Sequence, residues 1–150
     1  MRDTQSPLGG FPGVAPFAQY GSEPTSMMRA GWADAGIIVP WTMWKQFGKV
    51  DIIEENWDAM EKFIDHAAAE KYDHRALAEE NGNYQWADWL SYEPLESWSE
   101  EWKQDPAQTL QYWNYLCASY WLIDARMMRD MAAATGRDVI KYDEMIFSAK

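Results

Sequence analysis

The sequence predicts an all-α protein made of helices in pairs. Apolar residues recur at helical spacing in segments that start near cap residues and stop at glycine. No segment shows the apolar–polar alternation that is typical of a half-buried strand. The 150 residues are enough for one domain with a buried core. We therefore expect helical hairpins packed around a single core.

Residues 1–32 are expected to form an irregular lead-in without helical periodicity, since glycine and proline recur in them (PLGGFPGVAP). Apolar side chains in this stretch are too numerous to stay in water, so we expect it to pack on the helices. Those side chains are Phe11, Val14, Phe17 and Tyr20.

The first two helices are predicted on either side of Gly48. Residues 33–47 are apolar almost throughout, which indicates a buried helix, and Pro40 predicts a kink or a late start because proline cannot donate to the helical ladder. In the next segment, Asp51 followed by Glu54 resembles a capping box. One face of this second helix is then apolar at helical spacing: Ile53, Trp57, Met60, Ile64 and Ala67.

Two further helices follow a long connection at about residues 72–104. Asp105 is expected to cap the third helix, Pro106 to occupy its first turn, and Gly136 to end it after Thr135. Asp138 is expected to cap a last amphipathic helix that reaches the C-terminus. Its expected apolar residues are Ile140, Met145 and Phe147.

Aromatic residues are unusually frequent, with ten tryptophans and eight tyrosines. Four aromatic rings fall in one loop, GNYQWADWLSYEP, between Gly82 and Pro94. Indole rings at helical spacing are typical of a core, whereas rings in a loop can also stack on the C–H face of a sugar. A structural role is expected for the helical set: Trp41, Trp44, Trp57, Trp113 and Trp121.

Charge and motifs exclude several classes of function. A net charge of −11 with a pI of about 4.5 disfavours nucleic acid and anionic membranes as partners. The one cysteine, Cys117, is expected in the core, and neither histidine has a partner at metal-ligand spacing. Phosphate loops and dinucleotide fingerprints are missing, so we expect no metal and no cofactor. No signal peptide is visible, and the compartment stays open.

Several motifs in order resemble one enzyme family. GGFPGVAP, GWADAGIIVPWTMWKQFGKVD, WADWLS and ATGRDVIKYDEM are similar to the central part of the catalytic domain of bacterial α-L-rhamnosidases, glycoside hydrolase family 78. The family pattern is approximately FPDVAP, GWGDA followed by PWT, and GDWL ahead of a long helix. Here Ala33 and Ala87 replace glycines of that pattern, which requires backbone angles open to alanine.

The resemblance implies a fold, a reaction and a set of site residues. The fold is an (α/α)6 toroid of six hairpins, of which this chain would form a part, and the reaction is inverting hydrolysis of terminal α-L-rhamnose. The family's general acid and general base are glutamates in motifs that this sequence lacks, so we expect no catalytic residue in the chain. The substrate-binding candidates are Trp32, Asp34, Trp86, Asp88 and Trp89.

Alternatives stay open at this point. Asp34 could serve as a helix cap, a contact to a sugar hydroxyl or a proton-transfer group, and Asp88 as a turn carboxylate or a ligand contact. A non-catalytic carbohydrate-binding module and a helical protein-interaction domain also fit the sequence. Part of a toroid would leave apolar helix faces uncovered, so self-association is expected.

Overall fold

The computed structural model describes residues 1–15, 30–69 and 106–148, with side chains of the last range described from residue 115 onward. A short 3-10 turn, Arg2–Thr4, precedes four α-helices, and the described ranges contain no strand. These helices are α1 (Ala35–Phe47), α2 (Asp51–Ala69), α3 (Pro106–Ala134) and α4 (Ile140–Ser148). The all-α prediction is confirmed. The whole of the predicted aromatic loop, including Trp86, Asp88 and Trp89, lies outside the described residues.

The core forms where α1, α2 and α3 pack against one another, and α4 packs on α3. All five residues of the predicted face of α2 are buried, which confirms its helical period. α3 contributes a matching stripe from Cys117 to Ala132. The largest side chains of this shared core are Phe11, Ile37, Ile53, Met60, Ile64, Met128, Met131 and Tyr142.

The N-terminal segment packs along α2. Gln5 donates from its Nε2 to the carbonyl oxygen of Ala59 at 2.7 Å, and the ring of Phe11 stacks on that of Phe63 with centroids 5.0 Å apart. Phe11 also lies against Gly36, where an added Cβ would come within 2.2 Å of its ring. Glycine at that position therefore lets the lead-in approach α1 closely.

α1 differs from the prediction in two ways. It starts at Ala35 and continues through Pro40, so a late start at this proline is wrong. The expected burial is also wrong, because only the side that faces α2 and α3 is covered. Val39 is 51% exposed and Phe47 is 66% exposed. Within the described residues, this leaves an apolar face of α1 open to solvent.

The start of α2 is not the predicted capping box. The carbonyl of Val50 accepts the first helical hydrogen bonds, from the amides of Ile53 and Glu54. Val50 therefore holds the cap position and Asp51 lies one residue inside the helix. Glu54 is paired with Arg137, across from α2, instead of reaching back to the helix start.

α3 ends as predicted, with Gly136 at φ 71°. The amide of Arg137 donates to the carbonyl of Ala132 at 2.8 Å, the six-to-one bond of a Schellman motif. The Asp138 side chain accepts from the amide of Ile140 at 2.9 Å, but the carbonyl of Val139 accepts the first helical hydrogen bonds of α4, from Tyr142 and Asp143. Val139 therefore holds the cap position, and the predicted cap at Asp138 is wrong by one residue.

The apolar face predicted for α4 is wrong at two positions, since Ile140 and Phe147 are exposed and Tyr142 is the buried residue. Tyr142 meets the ring of Trp57 edge-on, with centroids 6.2 Å apart. Its hydroxyl donates to Glu61 at 3.2 Å. Tyr142 therefore links α4 to α2 through both its ring and its hydroxyl.

Candidate functional site

The turn that leads into α1 positions both site residues that the structure describes, Trp32 and Asp34. Gly31 has φ 82°, in the left-handed region, and an added Cβ there would meet the ring of Tyr120 at 3.2 Å. Two constraints therefore require glycine at position 31: the left-handed backbone angle and the close aromatic ring of α3. Ala33 is fully buried, whereas Trp32 is half-buried. Residues 30–34 are thus held against α3 with the indole at their edge.

Asp34 occupies the N-cap position of α1 without acting as a side-chain cap. Its main-chain carbonyl accepts from Ile37 and Ile38, as a cap residue's does. Its carboxylate instead accepts backward, from the amide of Gly31 to Oδ2 at 2.6 Å. The side chain is 5% exposed, so this carboxylate is held by the turn that precedes the helix.

A second buried carboxyl group, Asp124 of α3, faces Asp34. Asp124 is 1% exposed and shares a side-chain hydrogen bond with Asp34. Its Oδ1 has no hydrogen-bond partner among the described residues. Sequence analysis missed this residue. The signal was its position on the buried stripe of α3, between Trp121 and Met128, where an acid interrupts apolar spacing.

Burial dominates the protonation of this pair. It raises the pKa of Asp124 well above the ordinary value, and the charge of Asp34 raises that pKa further. Burial also raises the pKa of Asp34, while the hydrogen bonds from Asp124 and Gly31 act in the opposite direction. When two carboxyl groups are in contact, the charge of one disfavours ionisation of the other. Burial and this contact therefore favour retention of a proton by the pair, most of all on Asp124, whose pKa is raised well above the ordinary value.

Cys117 lies in the same environment. Burial and the nearby charge of Asp34 raise the pKa of its thiol to about 12. A thiol that stays protonated is a poor nucleophile. Cys117 is therefore a core residue, as its sequence context predicts.

The pair has the wrong geometry for an inverting acid and base. Those two carboxyl groups are typically ~6.5–9.5 Å apart, so that a water molecule fits between base and sugar. Asp34 and Asp124 are hydrogen-bonded to each other, which leaves no such space. The arrangement can instead fix the turn and place a buried negative charge beside Trp32.

The described ranges contain neither a cluster of metal-binding side chains nor a membrane-spanning helix. No group of three or more histidine, cysteine, aspartate or glutamate residues there could hold a metal ion. No helix in those ranges is long and apolar enough to span a membrane.

Comparison with known proteins identifies the family to which this chain is related. Residues 1–149 match the family described as bacterial alpha-L-rhamnosidase 6 hairpin glycosidase domain. The chain is 34% identical over 94 residues to an alpha-L-rhamnosidase of Formosa agariphila, which covers 63% of the chain and 9% of that relative. It is 26% identical over 145 residues to an alpha-L-rhamnosidase of Streptomyces avermitilis, which covers 97% of the chain and 12% of that relative.

The chain thus spans only about a tenth of the length of these relatives. No solved structure is significantly similar to it. The family match extends from the lead-in to α4 and agrees with the all-helical architecture of the described ranges. The chain belongs to the six-hairpin glycosidase domain family of bacterial α-L-rhamnosidases.

Proposed function

We propose that this chain is part of a glycoside hydrolase domain that releases terminal α-L-rhamnose with inversion, and that it supplies sugar-pocket wall but neither the general acid nor the general base. The observation that supports this most is the family match over nearly the whole chain. Both relatives that match are named alpha-L-rhamnosidase.

In this proposal the wall is built from tryptophan rings and carboxylates. Trp32 offers a flat apolar face to the C6 methyl group and C–H face of a 6-deoxyhexose. Asp34 holds the turn that carries this ring through its hydrogen bond with Gly31. Its remaining lone pairs accept a hydrogen bond from a sugar hydroxyl. Trp86, Asp88 and Trp89 complete the wall from the aromatic loop.

The acid and base are assigned to glutamates outside residues 1–150, because the family motifs that hold them are missing from this sequence. The buried carboxyl pair of the described residues does not replace them. Burial and the charge of Asp34 favour a neutral Asp124 in contact with Asp34, whereas an inverting base must be ionised and separated from the acid by a water molecule.

Hydrolysis of an aryl α-L-rhamnoside tests the proposal. We expect no turnover by residues 1–150 alone, and turnover by a longer form that includes the coding sequence on both sides. Proton NMR of the longer form should show the β anomer of rhamnose as the first product, because inversion changes the anomeric configuration. Turnover by residues 1–150 that Asp34→Asn or Asp88→Asn abolishes would contradict the assignment of acid and base.

The same longer form separates the remaining possibilities. Rhamnose binding without turnover would indicate a carbohydrate-binding module instead of an enzyme. Absence of both binding and turnover would favour a protein-interaction domain. If Trp89→Ala leaves the measured rhamnose affinity unchanged, the loop does not belong to the pocket.

A further inference from the structure

We propose that Asp124 is a positioning residue of the candidate sugar pocket: its protonated carboxyl group donates a hydrogen bond to the Asp34 carboxylate and so fixes the turn that carries Trp32. The pocket role rests on the proposed function. The contact between the two carboxyl groups does not, and it can be measured separately.

Three contacts hold the turn, and two of them reach α3. The Gly31 amide donates to Asp34 at 2.6 Å, the Tyr120 ring lies against the Cα of Gly31, and Asp124 is hydrogen-bonded to Asp34. Gly31, which donates to the Asp34 carboxylate, lies in the turn itself. Asp124, which is hydrogen-bonded to the same carboxylate, lies on α3. Without it, the turn would keep its internal bond but lose the hydrogen bond that joins Asp34 to α3.

The unpartnered oxygen of Asp124 is consistent with a neutral acid. A carboxylate shares its charge between both oxygens, and burying a charged oxygen without a donor is very costly. A neutral carboxyl group that donates through one oxygen leaves a carbonyl-like Oδ1, whose burial costs far less. The absence of a hydrogen-bond partner for Oδ1 in the described residues therefore fits a protonated carboxyl group.

Other titratable groups of α3 lie near the pair. From α3, the Cys117 thiol is close enough to Asp34 for that charge to raise its pKa, and Tyr120 lies over Gly31. The groups that shift the pKa values of the two acids are the acids themselves and the turn backbone, with burial as the largest cause. Nothing in this set favours ionising both acids.

Selective isotope labelling gives a direct probe of the contact. The sequence contains two Ala–Gly pairs, Ala30–Gly31 and Ala35–Gly36, so carbonyl-13C alanine with 15N glycine isolates two amide signals. Gly31 donates to Asp34, whereas Gly36 donates to the carbonyl of Ala33 and serves as the internal reference.

Three variants of the whole chain complete the design. Asp124→Asn keeps a donor at the same position, and Asp124→Leu keeps the bulk without a donor. Asp130→Asn, a half-buried acid on the same helix, is the matched control.

We expect the wild-type Gly31 signal to lie downfield of Gly36 and to shift as the pair loses its proton with rising pH. Asp124→Asn should keep the downfield position and lose the pH-dependent shift, whereas Asp124→Leu should move the signal. Asp130→Asn should behave as wild type. A wild-type Gly31 signal at its unfolded position, or one that all three variants leave unchanged at every pH, would overturn the contact.

Titration with L-rhamnose then tests the pocket role. We expect binding roughly tenfold weaker in Asp124→Leu, because small displacements of a positioned group have large effects, and restored in Asp124→Asn. Equal affinity in wild type and Asp124→Leu, with the Gly31 signal moved, would overturn the positioning role. Absence of rhamnose binding in wild type would refute the proposed function and the pocket role, and the pH response of Gly31 would still decide the contact.

Discussion

Trp57 and Trp32 each lie near carboxyl groups, but the two sets of acids are stabilised in different ways. Around Trp57, the guanidinium of Arg137 lies 4.4 Å from the ring and pairs with Glu54, while Lys141 bridges Asp65 at 2.6 Å. The side chains in these ion pairs are 29–49% exposed. Near Trp32, Asp34 and Asp124 are buried and pair with each other.

The pKa shifts have opposite directions in the two regions. The hydrogen bond from Arg137 lowers the pKa of Glu54, whereas burial raises the pKa of both Asp34 and Asp124. Exposed ion pairs contribute little to stability, and burying two acids together is costly. Since a costly buried arrangement of acids is more often retained for a function, we propose the Trp32 turn, and not the Trp57 side, as the candidate site.

Replacing Asp124 with leucine should have the largest effect on stability. The Asp34 carboxylate would stay buried without its donor from α3, at a cost of about 3 kcal/mol in the free energy of unfolding. Urea unfolding followed by circular dichroism measures this. Asp130→Leu on the same helix is the control and should cost much less. Equal effects of the two substitutions would show that the buried pair does not stabilise the fold.

The contributions of the two regions to the free energy of unfolding should change with pH in opposite directions. Asp124 binds its proton more tightly in the folded state than in the unfolded state. Its contribution to stability is therefore complete below its unfolded pKa of ~3.9 and declines as pH rises through the folded pKa. In that range the decline is about 1.4 kcal/mol per pH unit for one proton. Glu54, with a lowered pKa, contributes above its unfolded pKa and loses that contribution as pH falls.

Urea unfolding of wild type and Asp124→Asn between pH 5 and pH 8 checks this prediction. The stability difference should change with pH in favour of the asparagine variant as pH rises, because asparagine has no proton to lose. Parallel curves for the two proteins would contradict a raised pKa for Asp124.

A smaller effect is expected on the Trp57 side. Tyr142→Phe keeps the edge contact with Trp57 but removes the hydroxyl that donates to Glu61, at a cost of about 1 kcal/mol. The exposed Tyr115 of α3 supplies a matched control, since Tyr115→Phe should leave the midpoint of thermal unfolding unchanged. A Tyr142→Phe variant as stable as wild type would show that this hydroxyl contributes nothing.

Sequence patterns correctly predicted those parts of the fold that depend on residues close together along the chain. The apolar period of α2 and the glycine stop at Gly136 are set by spacing and by one backbone angle, and both hold in the structure. The continuation of α1 through Pro40 and the cap at Val50 were missed. They depend on how the lead-in and the neighbouring helices pack, which the residues around each position do not encode.

The candidate site shows the same division. Trp32 and Asp34 were found from a motif, but Asp124 comes from a helix far along the chain. Its acid on an apolar stripe, four residues before Met128, was the available signal. Which group it meets could not be predicted, because the contact depends on how α1 packs on α3.

Rhamnose binding measured by calorimetry on the longer form tests most directly whether the Trp32 turn, and not the Trp57 side, contacts the sugar. Loss of a stacking ring worth about 0.5–1.5 kcal/mol predicts a roughly two- to tenfold weaker affinity in Trp32→Ala. Trp57→Phe should bind rhamnose as wild type does. Unchanged affinity in Trp32→Ala would contradict the assignment of the sugar pocket to this turn.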